Sequence, residues 1–83
     1  MRWRRVIVTI EMGADSYDIQ ADEQSSILHT LQILAECSML PISMEELPQT
    51  VYSIRKKRWI PVNNTYRENR IYQGDVLRIE RGK

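Results

Sequence analysis

Apolar and polar residues alternate at both ends of the chain, which is the pattern of a β-strand that buries one face. From Arg4 to Met12 every second residue is apolar and is predicted to face inward: Val6, Val8, Ile10 and Met12. From Val76 to Glu80, Leu77 and Ile79 are predicted to face inward in the same way. Because these two segments alternate most clearly, we expect them to pair at the centre of a sheet.

The segment after the first strand predicts a hairpin and then a helix. Gly13-Ala14-Asp15 has the composition of a turn, and Ser16 to Ala21 alternates again. The spacing becomes helical at Ile27, with an N-cap expected at Asp22, Ser25 or Ser26 and a stop at Pro41. The predicted apolar stripe of this helix consists of Ile27, Leu28, Leu31, Leu34 and Ala35.

Shorter elements complete the chain. Ser43 to Glu46 has the spacing of a capping box, which predicts one helical turn before Pro48. Val51 to Arg55 is predicted to be the third strand, and Trp59 to Val62 the fourth, at a sheet edge because it contains proline. Thr65 is expected to cap a brief helical turn before the fifth strand.

The order of elements, two strands, one helix and three strands, predicts an α+β fold of the β-grasp type. No short loop can join the first and last strands if they pair, so the helix must cross one face of the sheet. We therefore expect one domain over residues 1–83, with a five-stranded mixed sheet packed on one α-helix. The predicted core places Ile27, Leu31 and Leu34 on Val6, Val8, Ile10, Tyr17, Ile19, Leu77 and Ile79.

Charge is distributed unevenly along the sequence, although the net charge is only +1. Residues 6–54 contain eight acidic residues and no lysine or arginine, whereas residues 55–83 contain nine basic and three acidic residues. Alternation places Arg5 and Arg78 on the outer side of the sheet. We expect a protein-binding basic face there, formed by Arg5, Arg55, Lys56, Lys57, Arg58, Trp59 and Arg78.

Two other interpretations of the basic segment at 55–58 remain open. It resembles a nucleic-acid contact because basic residues precede an aromatic ring, but the pI of about 7.9 is low for such a protein. It is also typical of a charged turn that protects an edge strand from aggregation. We expect an acidic protein partner more than nucleic acid, and a monomer or a weak homo-oligomer.

The residues that usually carry chemistry are sparse. His29 and Cys37 are the only histidine and cysteine, and the three glycines are isolated, so we expect no catalytic, metal or cofactor site. Ile33 and Cys37 lie off the apolar stripe of the helix, and we expect the returning chain to cover them; if it does not, they are a second docking surface. The single cysteine and the lack of a long apolar run favour a cytoplasmic protein without membrane insertion.

The closing segment is similar to that of ubiquitin-like proteins. Thr65, Tyr66 and Ile71 are followed by Gly74-Asp75-x-Leu77-x-Ile79, and the chain ends Arg81-Gly82-Lys83 without a Gly-Gly tail. Within this superfamily the chain resembles the bacterial YukD/EsaB group of ubiquitin-like proteins. That resemblance implies a non-enzymatic accessory role in type VII (ESX-like) secretion in Gram-positive bacteria. The alternatives are a ubiquitin-like modifier or sulfur carrier activated at a trimmed C-terminal glycine and, third, a small nucleic-acid-binding domain.

Overall fold

Five strands and one α-helix follow one another in the predicted order. The structure is a computed structural model that describes residues 4–80, so the C-terminal glycine of the modifier hypothesis lies outside the described residues. The elements are β1 (Arg5–Met12), β2 (Asp15–Asp22), α1 (Ile27–Glu36), a 3₁₀ turn (Met44–Glu46), β3 (Thr50–Ser53), β4 (Arg58–Pro61) and β5 (Val76–Ile79). Within residues 4–80, no helix has the length and apolar character needed to cross a membrane.

The strands form one mixed sheet in the order β2-β1-β5-β3-β4. β1 and β5 are parallel neighbours at its centre, whereas the other three pairs are antiparallel. β4 lies at one edge, as its proline indicated. The predicted α+β fold, a five-stranded β-grasp sheet with one helix, is confirmed.

The core lies between α1 and the inner face of the sheet. Ile27 and Leu31 of α1 are fully buried, as are Ile10 of β1 and Leu77 of β5. The inward residues of β1 are buried as the alternation predicted, whereas Tyr17 and Ile19 of the edge strand β2 are only partly buried. Edge strands have a neighbour on one side only, which leaves their inner face less covered.

The helix ends earlier than predicted, and for a different reason. It stops at Glu36, five residues before the proline that was expected to end it. Ser38 adopts a left-handed conformation with φ of 59°. Its N–H donates to Ala35 O, and the next N–H, of Met39, donates to Leu34 O. This pair of hydrogen bonds is a Schellman motif, with serine in the position that glycine usually takes.

Strands three and four differ from the prediction at their ends. β3 ends at Ser53 rather than Arg55, because residues 54–57 form the turn to β4. β4 begins one residue earlier than predicted and ends at Pro61. Arg55 therefore belongs to a turn and not to a strand, so strand alternation does not determine the direction of its side chain.

Candidate functional site

The face of the sheet opposite α1 carries an apolar and aromatic surface. Pairing of the strands aligns Glu11 of β1, Arg78 of β5, Tyr52 of β3 and Trp59 of β4 in one row across the sheet. Thr9 and Val76 form the next row. Each of these residues alternates with a buried neighbour that faces the helix, so the row and its neighbours point outward.

Two large side chains on this face are exposed. Ile7 is 44% exposed and Trp59 is 48% exposed. The ring of Trp59 packs edge-to-face on Tyr52, with the ring centroids 5.3 Å apart and the planes at 70°. Such a pair holds the indole in place and leaves much of it open to solvent. We define the sheet face as Ile7, Tyr52, Trp59 and Val76, together with the ion pair described next.

The centre of the sheet face is electrically neutral. Arg78 Nε donates to Glu11 Oε1 at 2.7 Å, which is the one salt bridge within the described part of the chain. This hydrogen bond from Arg78 to the Glu11 carboxylate raises the pKa of the guanidinium, which stays charged. Arg78 thus points outward as predicted, but its charge is balanced by a residue of the adjacent strand.

The remaining residues of the predicted basic face do not come together on the sheet. Arg5 is six residues before Glu11 in β1, which separates it from the salt bridge by about 20 Å at 3.3 Å per residue. Arg55, Lys56 and Lys57 lie in the β3–β4 turn. Of the seven predicted residues, only Trp59 and Arg78 meet in one row of the sheet.

Side-chain contacts in the β3–β4 turn explain where its charges point. Arg55 Nη1 donates to Gln73 O at 2.8 Å, and Lys56 Nζ lies 5.5 Å from the centroid of the Tyr72 ring. Arg58 has the same phase in β4 as the buried Ile60, and so it faces the helix side rather than the outer side. The turn is therefore tied to the loop before β5 and not to the sheet face.

A buried carboxylate fixes this turn. Asp75 is 1% exposed, and it accepts hydrogen bonds from Ser53 Oγ at 2.8 Å, from the Arg55 N–H at 3.2 Å and from the Val76 N–H at 2.7 Å. Gly74 precedes it with φ of 87°, a conformation that residues with a side chain rarely adopt. The Gly-Asp pair of the closing segment thus joins β5 to the β3–β4 turn.

The helix side of the molecule is open. Ile33 is 46% exposed and Cys37 is also exposed, so the expectation that the returning chain covers them is wrong. Ile33 lines a groove of about 280 Å³ between α1 and β2. His29 lines the same groove and is exposed. Within residues 4–80, no group of three or more histidine, cysteine or acidic residues is arranged to hold a metal ion.

Sequence reasoning missed one cluster of basic residues. Arg4, Arg67 and Arg70 join Arg5 around a cleft at the end of the sheet where β1 begins. The signal in the sequence was the helical turn capped by Thr65, because a helical turn brings residues three apart, such as Arg67 and Arg70, to one side. Their proximity to the start of β1 follows from tertiary structure alone.

Comparison with solved structures supports the fold. A protein designed de novo on the basis of ubiquitin aligns with a TM-score of 0.70 and 18% identity, over 95% of this chain and 92% of that one. The C-terminal ubiquitin-like domain of mouse tubulin-specific chaperone e aligns with a TM-score of 0.67 and 12% identity, over 100% and 94%. No protein-family model and no curated protein matches this chain. At these identities the structures show that the fold is ubiquitin-like.

Proposed function

We propose that the protein is a non-enzymatic interaction module that binds a protein partner through the sheet face. The observation that carries this proposal is the exposed Trp59, held edge-on by Tyr52, on the same face of the sheet as the exposed Ile7. Tryptophan and tyrosine dominate the binding energy of many protein interfaces, since they bury a large area with few rotatable bonds. A ubiquitin-like domain with such a face is suited to binding rather than to chemistry.

The central ion pair suits a docking role. The Arg78 and Glu11 side chains are 43% and 31% exposed, so both still have open hydrogen-bonding positions. Each already has a partner, and a protein that covers them does not bury an unpaired charge, which would be costly. The sheet face therefore offers an apolar anchor next to polar groups that tolerate desolvation, an arrangement common in interfaces.

The partner that we propose is a component of a type VII secretion system in the cytoplasm of a Gram-positive bacterium. Support for this finer assignment comes from the closing segment, where Gly74-Asp75-x-Leu77-x-Ile79 resembles the YukD/EsaB group. We propose that Arg55 and Lys56, in the turn that leads into β4, speed association with an acidic surface of that partner. Such a contribution acts on the association rate and weakens as salt is added.

Site-specific photo-crosslinking in the native host tests the proposal. A photoreactive amino acid at position 59 should form an adduct with one defined partner, and the same group at position 33, on the helix side, should not. Mass spectrometry then identifies the partner. A secretion ATPase or its substrate would support the type VII assignment, whereas an adduct formed only from position 33 would move the docking surface to the α1–β2 groove. A C-terminal thiocarboxylate, or a lysine adduct through the C-terminus, would favour the modifier alternative.

Affinity for the identified partner provides a matched comparison. Ile7→Ala and Ile33→Ala remove the same atoms from side chains that are 44% and 46% exposed, on opposite sides of the molecule. Ile7→Ala should weaken binding several-fold and Trp59→Ala by about thirty-fold or more, as expected of an interface anchor. Ile33→Ala should bind like the unchanged protein. Equal effects of the two isoleucine changes would contradict the sheet face as the docking surface.

A further inference from the structure

Four arginines surround a concave surface at the end of the sheet where β1 begins. The cleft has a volume of about 740 Å³, and Arg4, Arg5, Arg67 and Arg70 line it. Among residues 4–80, Glu23 is the single acidic residue in the lining, so the described lining has a formal charge of +3. We call this surface the arginine cleft. It is distinct from the sheet face, and sequence reasoning did not single it out.

The walls of the cleft are held together by backbone hydrogen bonds. The N–H of Glu23 donates to Arg4 O, and the N–H of Arg67 donates to Glu23 O, both at 2.9 Å. The capped turn adds further order, because Thr65 Oγ1 accepts from the Glu68 N–H and the Glu68 carboxylate accepts from the Thr65 N–H. The segment at Glu23 therefore links two segments that are distant in sequence and brings their arginines to one place.

The guanidinium groups have almost no partners within the described part of the chain. Among residues 4–80, the side chains of Arg4, Arg67 and Arg70 form no hydrogen bond or salt bridge, and Arg5 has one long hydrogen bond of 3.4 Å to Gln20. This contrasts with Arg55 and Arg78, which both bind acceptors of their own fold. The donors around the cleft are thus free to bind an external anion.

One of these arginines occupies a position that favours glycine. Arg70 has φ of 56°, and the N–H groups of Arg70 and Ile71 donate to Arg67 O and Tyr66 O. This is the Schellman geometry, in which the residue with positive φ is usually glycine. An arginine in this conformation costs roughly 1 kcal/mol relative to glycine. Strained residues are concentrated at binding sites, where the side chain has a use.

We propose that the arginine cleft binds a short acidic peptide segment, with its carboxylates held by the guanidinium groups. Arginine presents a planar set of N–H donors that matches the two oxygens of a carboxylate, which lysine cannot do. A long polyanion such as nucleic acid fits less well, because the net charge is only +1 and eight acidic residues lie between positions 6 and 54. A compact cleft of charge +3 suits a short segment with several carboxylates.

Binding of labelled peptides to purified protein tests this site independently of any natural partner. The probe is fluorescein-labelled hexaglutamate, and the reference is the same peptide made of glutamine, both measured by fluorescence anisotropy at low salt. Hexaglutamate should bind, hexaglutamine should not, and the affinity should fall as salt is added. A thymidine hexanucleotide measured in parallel tests the nucleic-acid alternative.

Two matched variants separate binding from folding. Arg70→Gly and Lys57→Gly each remove one positive charge at a residue with positive φ, 56° and 57°, but only Arg70 lines the cleft. Both should keep or slightly raise the melting temperature. Arg70→Gly should weaken hexaglutamate binding roughly five-fold, and addition of Arg67→Gln should bring the loss to roughly twenty-fold, whereas Lys57→Gly should bind nearly as well as the unchanged protein.

Three results would overturn the proposal. The first is that hexaglutamate does not bind. The second is an equal loss of hexaglutamate affinity in Arg70→Gly and Lys57→Gly, which would indicate that binding depends on the overall charge of the protein. The third is tighter binding of the oligonucleotide with the same dependence on Arg70. Failure of the sheet-face experiments leaves these measurements unaffected, because no partner protein takes part in them.

Discussion

The phenol of Tyr66 should set the upper pH limit of this fold. Tyr66 is fully buried in the loop before β5, and its Oη donates to Thr30 Oγ1 of α1 at 2.7 Å. Its N–H donates to Ser25 O, so the residue ties this loop to the start of the helix. Burial raises the pKa of Tyr66 to about 12, because the charged phenolate would lose its hydration.

The sign of the pH effect follows from this shift. Below pH 10 the tyrosine is protonated in the folded and the unfolded chain, so its contribution is fully present. Between pH 10 and about 12 the unfolded chain releases the proton and the folded protein keeps it, which favours unfolding. At about 1.4 kcal/mol for each unit, the free energy of unfolding should fall by roughly 2–3 kcal/mol across this window.

Tyr66→Phe should remove this pH dependence and also lower stability at neutral pH. The variant loses the hydrogen bond and leaves the buried hydroxyl of Thr30 without its partner, which costs about 1–2 kcal/mol. It should therefore be less stable than the unchanged protein at pH 7 and more stable at pH 12. The two stability curves should cross at about pH 11.

Urea unfolding followed by tryptophan fluorescence, in steps from pH 7 to pH 12, measures both curves. Tyr72→Phe is the matched control, because Tyr72 is 63% exposed. Its stability should run parallel to that of the unchanged protein over the whole range. If the difference in unfolding free energy between Tyr66→Phe and the unchanged protein does not vary with pH, the buried phenol does not determine the alkaline limit of the fold.

Two further changes test the core and the turn. Leu31→Ala should lower the free energy of unfolding by about 2–5 kcal/mol, because Leu31 is fully buried between helix and sheet, and an unchanged melting temperature would contradict that packing. Asp75→Asn should cost about 1–3 kcal/mol, since the amide cannot accept all three hydrogen bonds of the buried carboxylate. The exposed Asp15→Asn should stay within about 0.5 kcal/mol in the same thermal unfolding assay, and equal losses would argue against the hydrogen-bonded turn.

The fold was predictable because its main signals are local. Alternation in β1, alternation in β5 and the helical spacing after Ile27 each depend on neighbouring residues in the sequence. All three predicted elements are present in the structure. The ends of elements were less predictable. Ser38 ends the helix in a left-handed conformation that is usually adopted by glycine. Arg70 adopts the same conformation in the loop before β5. Without a glycine at that point in the sequence, residue type does not indicate where the backbone adopts a positive φ.

The candidate site was harder to predict because it depends on strand register. Alternation placed Arg78 on the outer face correctly, but only the parallel pairing of β1 with β5 sets it opposite Glu11. A shift of two residues along either strand would keep the same inward face and leave Arg78 without that partner. The alternation in the sequence predicts which face of the sheet a side chain points to. The residue that lies beside it on the next strand depends on the strand register, which the whole sheet determines.

Charge in this protein is therefore separated along the strands and not between the two faces of the sheet. β1 begins beside the arginine cleft and ends at the hairpin, where Glu11, Asp15 and Glu80 line a second cavity of about 570 Å³ with Arg78. Eight residues of strand, about 25 Å, separate the two ends. Such a dipole orients an approaching charged partner before contact. If the arginine cleft captures an acidic segment first, the neutral sheet face, centred about 20 Å along β1 from Arg5, is positioned to complete a slower, apolar docking step. Binding through both surfaces would then exceed either alone, because the second contact forms at high local concentration.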